Sequence, residues 1–553
     1  MKLRIAFVLI WVPLLAAAGT KTVHQWEVFT LSMKSGRSYT NPYQDIPVTR
    51  GNDLLKVTFR GTGGNALNKE VTIVGFWTGG KEWRVNFAAP ESGSWTYSSS
   101  STDRSLNGIK GKIEVIPWTD AEKAANPARH GFVRVNKKGP EAGHYFEYSD
   151  GTPFLWIGDT WWNWTDIRIR PETFKQLVDD RAGKGFNVGQ LFVPGNGWGR
   201  ESSLLDETYT IPDTAHLQKT EQMIRYANSK GITVWIHGWW SRKDMDKSVG
   251  REKMIRWWRY LVHRFSAYNV IWVLAGEYNM YDYGGLGVGF WKDLGQLIKD
   301  EDPYERIVSL HNTPPFWDGG ADAPQWSTTE ILHQEPWLDY NQSQVGHGKF
   351  ANEMIPSVIR EAYNMKPAKP IVVTESWYEF REGNAPAMDI RFAAWSSILS
   401  GAAGHTYGGG HVWLASVPEA PSDGAPWPYE KGFANTTYDY QGAKSIMHLA
   451  TFFRNVTWWK MSPHPELVKE YPQPLCLADP GKEYIVYLRY GGTVKVDLST
   501  SSGELFYQWF DPSSGKLSDK IQVKGEGIKE FNSPGGYPES PEYKDWVLYI
   551  RSK

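Results

Sequence analysis

The chain has 553 residues, which at roughly 150 residues per domain predicts two to four domains and ample material for a large buried core. Sixty Lys and Arg against 61 Asp and Glu leave a net charge of −1, so no electrostatic footprint argues for a nucleic-acid or anionic-membrane partner. With 41% hydrophobic and 22% charged residues the composition excludes wholesale disorder and an integral membrane protein, and the lone Cys476 excludes an internal disulfide, an iron–sulfur cluster or a Cys-rich zinc site.

The chain opens with Lys2 and Arg4, an apolar run from Ile5 to Leu15, and the small residues Ala16-Ala17-Ala18. That order reads as a cleaved signal peptide over residues 1–18. The mature protein is then expected to be exported and not membrane-inserted, and a disulfide-free exported chain fits a bacterial periplasm or the exterior. Residues 21–118 alternate apolar with polar side chains in Trp26-Glu-Val-Phe-Thr-Leu, Leu55-Lys-Val-Thr-Phe, Val71-Thr-Ile-Val and Lys112-Ile-Glu-Val-Ile, separated by Gly, Asn and Ser clusters. This predicts an N-terminal β-sandwich. Gly75-Phe-Trp-Thr-Gly-Gly-Lys81-Glu82 nearly matches a phosphate loop, but Glu82 stands where Ser or Thr would hold magnesium, so it reads as a loop between strands.

From Phe154 the pattern becomes strand, helix, strand, helix. Candidate strands begin at Phe154, Val188, Ile232, Val270, Ile307, Leu338, Ile371 and Gly404, with helical periods between several of them. One helix opens at Pro171, one closes at Gly231, and others carry Met254 to Phe265, Phe290 to Ile298 and Met388 to Ser400. Eight such units predict an α/β fold, a (β/α)8 TIM barrel over residues 126–463. A doubly wound sheet is the competing architecture, but no G-x-G-x-x-G follows the first strand. Residues 466–553 return to strands and turns, a second, C-terminal β-sandwich.

Chemistry in such barrels sits where the strands end. Glu277 and Glu375 directly follow the apolar fourth and seventh strands, where a carboxylate is costly to bury without a task or a partner. Strands four and seven lie across the ring from each other. Glycosidic cleavage needs two such carboxyls, one to protonate the leaving oxygen and one to meet the oxocarbenium-like centre. The competing explanation for either Glu is a helix cap or a pair with an arginine such as Arg391. Asp159, His237, Gln344 and His347 are candidates to bind sugar hydroxyls. Trp162, Trp239, Trp377, Tyr407 and Tyr278 are candidates to line or stack on the sugar. Glu379, four residues past Glu375, is expected to orient a neighbour. The high aromatic content, with 29 Trp, points the same way, because flat apolar faces suit sugar rings.

Several runs resemble the apiosidase-like glycoside hydrolases of family 140 and their relatives, within the clan A barrels. They are Phe154-Leu-Trp-Ile-Gly-Asp-Thr-Trp-Trp162, Asp339-Tyr-Asn-Gln-Ser-Gln-Val-Gly-His347 and Arg391-Phe-Ala-Ala-Trp-Ser-Ser-Ile-Leu-Ser-Gly-Ala-Ala-Gly-His-Thr-Tyr407. The stretch with Gly75-Phe-Trp-Thr-Gly-Gly and Trp83-Arg-Val-Asn-Phe-Ala is similar to the sandwich that precedes such barrels. The resemblance implies a glycosidase in which Glu277 is the general acid/base and Glu375 the nucleophile. At two positions the chain departs from the pattern: Gly276 stands where the clan usually has Asn, and Glu277 where the apiosidase-like pattern has Asp.

The expected activity is thus hydrolysis of a plant or algal polysaccharide or oligosaccharide, by a retaining two-carboxylate mechanism needing no cofactor or metal. Glu277 should have the higher pKa of the two, raised by burial beside Tyr278 and by Glu375. One rival is a metal-dependent barrel hydrolase using His237, His311, His347 and His405, although Asp159-Thr-Trp-Trp offers only one first-strand ligand. The other is a non-catalytic carbohydrate-binding protein. Neither H-E-x-x-H nor G-x-S-x-G is present.

Overall fold

The computed structural model describes residues 20–552 apart from 44–53, 194–211, 241–242, 281–282, 284, 316–323, 382–384, 420–434 and 536–543. The predicted signal peptide lies outside the described residues. Among them, no helix is long and apolar enough to cross a membrane.

In the N-terminal region alternation does what the sequence predicts. Along Leu55–Gly61 the side chains of Leu55, Val57 and Phe59 are buried while Lys56, Thr58 and Arg60 are not. This strand lies in a five-stranded sheet, ordered Lys21–His24, Lys110–Ile116, Gly93–Ser101, Leu55–Gly61, Glu70–Val74. A three-stranded sheet of Val28–Lys34, Glu82–Ala88 and Phe76–Trp77 packs on it around Phe59, Phe87 and Trp95. The phosphate-loop look-alike is the turn of the hairpin joining Phe76–Trp77 to Glu82–Ala88.

Eight parallel strands form the barrel: Trp156–Trp161, Val188–Phe192, Thr233–His237, Val270–Val273, Val308–Ser309, Asn341–Gln344, Ile371–Glu375 and Gly404–Tyr407. The ladder runs unbroken from the fifth strand round through the first to the sixth. The seam between the fifth and sixth is stitched by Asp339, whose backbone N–H donates to Val308 O at 3.1 Å and whose Oδ2 accepts from Val308 N at 2.9 Å. Ser309 Oγ adds a bond to Tyr340 O at 2.8 Å.

Two helices, Lys349–Asn364 and Gln441–Phe453, are absent from the sequence reading. The predicted first strand also moves. Pro153–Phe154 belongs to a small sheet with Arg134–Val135 and Phe146–Glu147, and the barrel strand starts at Trp156. Phe146 and Phe154 share an apolar cluster with Trp156, Tyr340 and Val372, so this small sheet plugs the N-terminal end of the barrel and leaves the other end as the mouth.

The C-terminal region is again two sheets around one core, which contains Val486, Leu488, Val496, Leu505 and Leu548. It joins the barrel through a second, continuous cluster in which Tyr487, Phe510, Val547 and Tyr549 meet Trp395, Ile446 and Phe452. The tryptophan count has a packing explanation that composition alone does not reveal. The largest fully buried side chains among the described residues are tryptophans, Trp156, Trp235, Trp272 and Trp395 among them.

Candidate active site

The interior of the barrel is set by strand parity. From the third strand Trp235 and His237 point inward, from the fourth Ile271 and Val273, and from the sixth Tyr340 and Gln342. Past Val273 the alternation breaks, since Ala275 lies in the outer cluster and Gly276 faces His237, and Glu277 reaches the mouth just beyond the strand. Its backbone has φ +45°, a left-handed conformation that is strained for a glutamate, at about 1–3 kcal/mol. Glu277 is 8% exposed. Its Oε2 accepts from Trp240 Nε1 at 3.1 Å and its Oε1 from Gln344 Nε2 at 3.3 Å. Burial and the nearby Glu375 push its pKa up to about 7, against the lowering influence of His311, Gln344 and Arg381.

Glu375 reaches the same space by a different device. Val373 of the seventh strand faces the helices, so simple alternation would send Glu375 there too. The ladder instead pairs Ser343 with Val373 and Gln344 with Glu375, leaving Thr374 as an extra residue. This bulge re-aims Glu375 into the mouth. His311 Nε2 donates to Glu375 Oε2 at 3.1 Å, and His347 Nε2 stands 3.2 Å from Oε1. Tyr378 lies beside the carboxylate, and its hydroxyl accepts from Trp162 Nε1 at 3.1 Å. Burial alone would raise the Glu375 pKa, but the bonds from His311 and His347 outweigh it and hold the carboxyl well below the usual range. The two carboxyls therefore differ in the direction their surroundings push them.

Six of the residues singled out from sequence converge here: Glu277, Glu375, Gln344, His347, and, at the floor, Trp162 and His237. The Trp162 ring lies 5.4 Å from His237 and 5.8 Å from Trp240. Five others are placed elsewhere. Asp159 is fully buried on the helix side of the first strand, where its Oδ2 accepts from Arg181 Nε at 2.6 Å and Trp161 Nε1 at 2.9 Å. Tyr407 points to the same outer layer and donates to Glu379 Oε2 at 2.7 Å. Trp239 lies in the apolar cluster containing Trp257 and Trp258, and Trp377 in that containing Ala385 and Ile390. Tyr278 faces away from the mouth and donates to Gln325 Oε1 at 2.8 Å, so the burial around Glu277 comes from other groups. His405 also lies outside the mouth, 3.1 Å from Ser397 Oγ. Among the described residues no group of three His, Cys, Asp or Glu side chains is arranged to hold a metal ion.

Sequence reasoning passed over Trp240 and Tyr378 and considered His311 only as a metal ligand. Arg391 pairs with Asp545 rather than with either glutamate. Gly276 has a steric reason: a Cβ there would fall 2.1 Å from His237 Cε1 and 2.6 Å from Trp240 Cε3. The Asn usual at this position in the clan has no room.

A closed parallel barrel with two buried carboxyls facing one mouth defines a glycoside hydrolase. The apiosidase-like catalytic-domain family model matches residues 140–460, more than half of the chain, and the chain belongs to that family. Residues 22–102 match a domain of unknown function, DUF5060, and residues 469–551 match a model named for a collagen-binding domain of a collagenase. The fold is shared with a family 5 glycoside hydrolase from Bacteroides vulgatus, at TM-score 0.67 and 19% identity over 77% of this chain and 95% of that one. A second Bacteroides vulgatus structure described as a glycoside hydrolase aligns at TM-score 0.69 and 19% identity over 96% of this chain and all of the other. No curated protein matches the chain significantly.

Proposed function

We propose that the protein is a retaining glycosidase, exported to a bacterial periplasm or beyond, that acts on a plant or algal polysaccharide or oligosaccharide. Glu277 is the acid/base and Glu375 the nucleophile. The observation that supports these roles is the opposite push on two neighbouring carboxyls, Glu277 up to about 7 and Glu375 well below its usual range. At neutral or mildly acidic pH one is a proton donor and the other an anion. In the first step a Glu375 oxygen bonds to the anomeric carbon as the glycosidic C–O bond breaks, and the Glu277 proton moves to the departing oxygen. In the second, Glu277 takes a proton from water, whose oxygen displaces Glu375 from the anomeric carbon. Gln344, which bonds Glu277, and His237 on the floor are placed to bind sugar hydroxyls.

The first experiment is a screen of the purified protein on plant and algal polysaccharides, apiose-bearing ones included because that sugar gives the family its name. On an accepted substrate, NMR of the first-released anomer tests the mechanism. Retention is expected, and inverted product would refute the nucleophile role of Glu375. Glu375→Gln is expected to abolish turnover while leaving binding intact; unchanged hydrolysis would sink the assignment.

A further inference from the structure

Glu375 is gripped in a way its role as nucleophile does not by itself require. Each of its two oxygens meets a different imidazole: Oε2 meets Nε2 of His311 at 3.1 Å and Oε1 meets Nε2 of His347 at 3.2 Å. The two rings come from the ends of different strands, the fifth and the sixth. Neither ring is loosely placed. His311 is fully buried, and its Nδ1 lies 3.2 Å from Thr374 Oγ1 and 3.3 Å from Gln342 Oε1. The His347 ring packs edge-on against Tyr378 at 4.7 Å between centroids. A carboxylate can only accept, so both imidazoles must present N–H to it.

We infer that His311 and His347 are positioning residues that clamp Glu375, one per oxygen, fixing its rotamer and keeping it anionic for attack. The inference rests on the nucleophile reading of Glu375. It moves His347 from a binder of sugar hydroxyls to a partner of the reacting carboxylate. The other groups around Glu375 do not replace the clamp. Glu277 opposes its ionisation, Tyr378 contributes one neutral hydroxyl, Gln342 and Gln344 are neutral, and His237 is held neutral by burial. Arg381 lies over the Tyr378 and Trp413 rings and acts on Glu277 through space.

The test is the pH profile of kcat/KM for wild type, His347→Ala, His347→Gln and His311→Gln, between about pH 3 and pH 8. In His347→Ala the acid limb, which lies below this range in wild type, is expected to rise into it, with kcat down about tenfold or more and KM changed less than about threefold. His347→Gln, which restores an N–H donor, should recover part of kcat. Should buried His311→Gln fail to fold, the two His347 variants decide alone. A fall in kcat with an unmoved acid limb would overturn the clamp, as would a rise in KM with kcat unchanged, which belongs to a sugar-binding histidine. Glu375→Ala with added azide is assayed alongside. Formation of a glycosyl azide upholds the nucleophile reading whatever the histidine variants do, and its absence counts against that reading rather than against the clamp.

Discussion

Glu277 combines a left-handed backbone with a buried, proton-holding carboxyl, and both cost stability. The sign of the second cost is definite. The folded state holds the Glu277 proton up to about pH 7 and the unfolded chain releases it near 4.5, so between those values folding takes up a proton and stability falls as pH rises. A shift of this size corresponds to about 3 kcal/mol. Glu277→Gln is isosteric and does not titrate. Its unfolding temperature should gain on wild type as pH rises from 4.5 to 7 and level off above, while turnover is lost. Denaturation at a series of pH values checks this; a constant difference would mean that Glu277 is not held protonated. Next to it, Gly276→Asn would drive a Cβ into His237 and Trp240. We expect a loss of about 1–3 kcal/mol together with most of the activity, measured by melting and by kcat/KM. Which single residues face the mouth was only half legible in the sequence, for a physical reason. Parallel barrel strands are buried on both faces, so apolar and polar residues do not alternate along them, and nothing marks Trp240 as inward and Trp239 as outward, or Asp159 as belonging to the helix layer.

Among the elements, the seventh strand shows where alternation stops being a guide. Its apolar run Ile371-Val-Val and the carboxylate after it were readable, but the extra Thr374 that turns Glu375 inward was not. A bulge is defined by pairing with a neighbour, and the sequence of one strand does not contain it. Deleting Thr374 should seat Glu375 directly after Val373, one residue or about 3.3 Å back along the strand from its place at the mouth, and remove the hydroxyl that lies 3.2 Å from His311 Nδ1. A fall of at least about a thousandfold in kcat/KM with unchanged far-UV circular dichroism is the expected outcome. Glu379, expected to orient a neighbour, does so four residues on. Both its oxygens accept from Gly442 N at 3.0 Å at the start of the helix Gln441–Phe453, and its backbone bridges to Gly408 and Gly410 beyond the eighth strand. The barrel itself was legible because short strand-like runs recur through residues 154–407 with helical periods between several of them. The helix Lys349–Asn364 escaped notice, and it carries Pro356 in its interior, a residue that ordinarily signals a helix end.

Across the whole molecule, the C-terminal domain is bound to the barrel by more than a linker. Arg391, on the helix packed outside the seventh and eighth strands, forms two 2.7 Å bonds to Asp545, whose Oδ2 also accepts from Tyr487 at 3.0 Å. Arg489 of the same domain donates to Asp389 on that helix at 2.7 Å. These contacts flank the cluster around Trp395, Tyr487 and Phe510, so the helix that supports the two last barrel strands is held from behind. These contacts support the proposal that the domain braces the barrel. Asp545 is fully buried and Arg391 nearly so. Removing one partner strands the other charge in an apolar interface, a cost of about 3–5 kcal/mol, whereas replacing both with apolar side chains is close to neutral. Asp545→Ala should therefore lower the melting temperature markedly, and Arg391→Met with Asp545→Leu should recover most of the loss. In both, kcat/KM of the folded protein at 25 °C is expected to stay within about threefold of wild type, because among the described residues no group of this interface bonds Glu277 or Glu375. If Asp545→Ala instead abolished turnover while melting as wild type does, the C-terminal domain would be a participant in the reaction and not its brace.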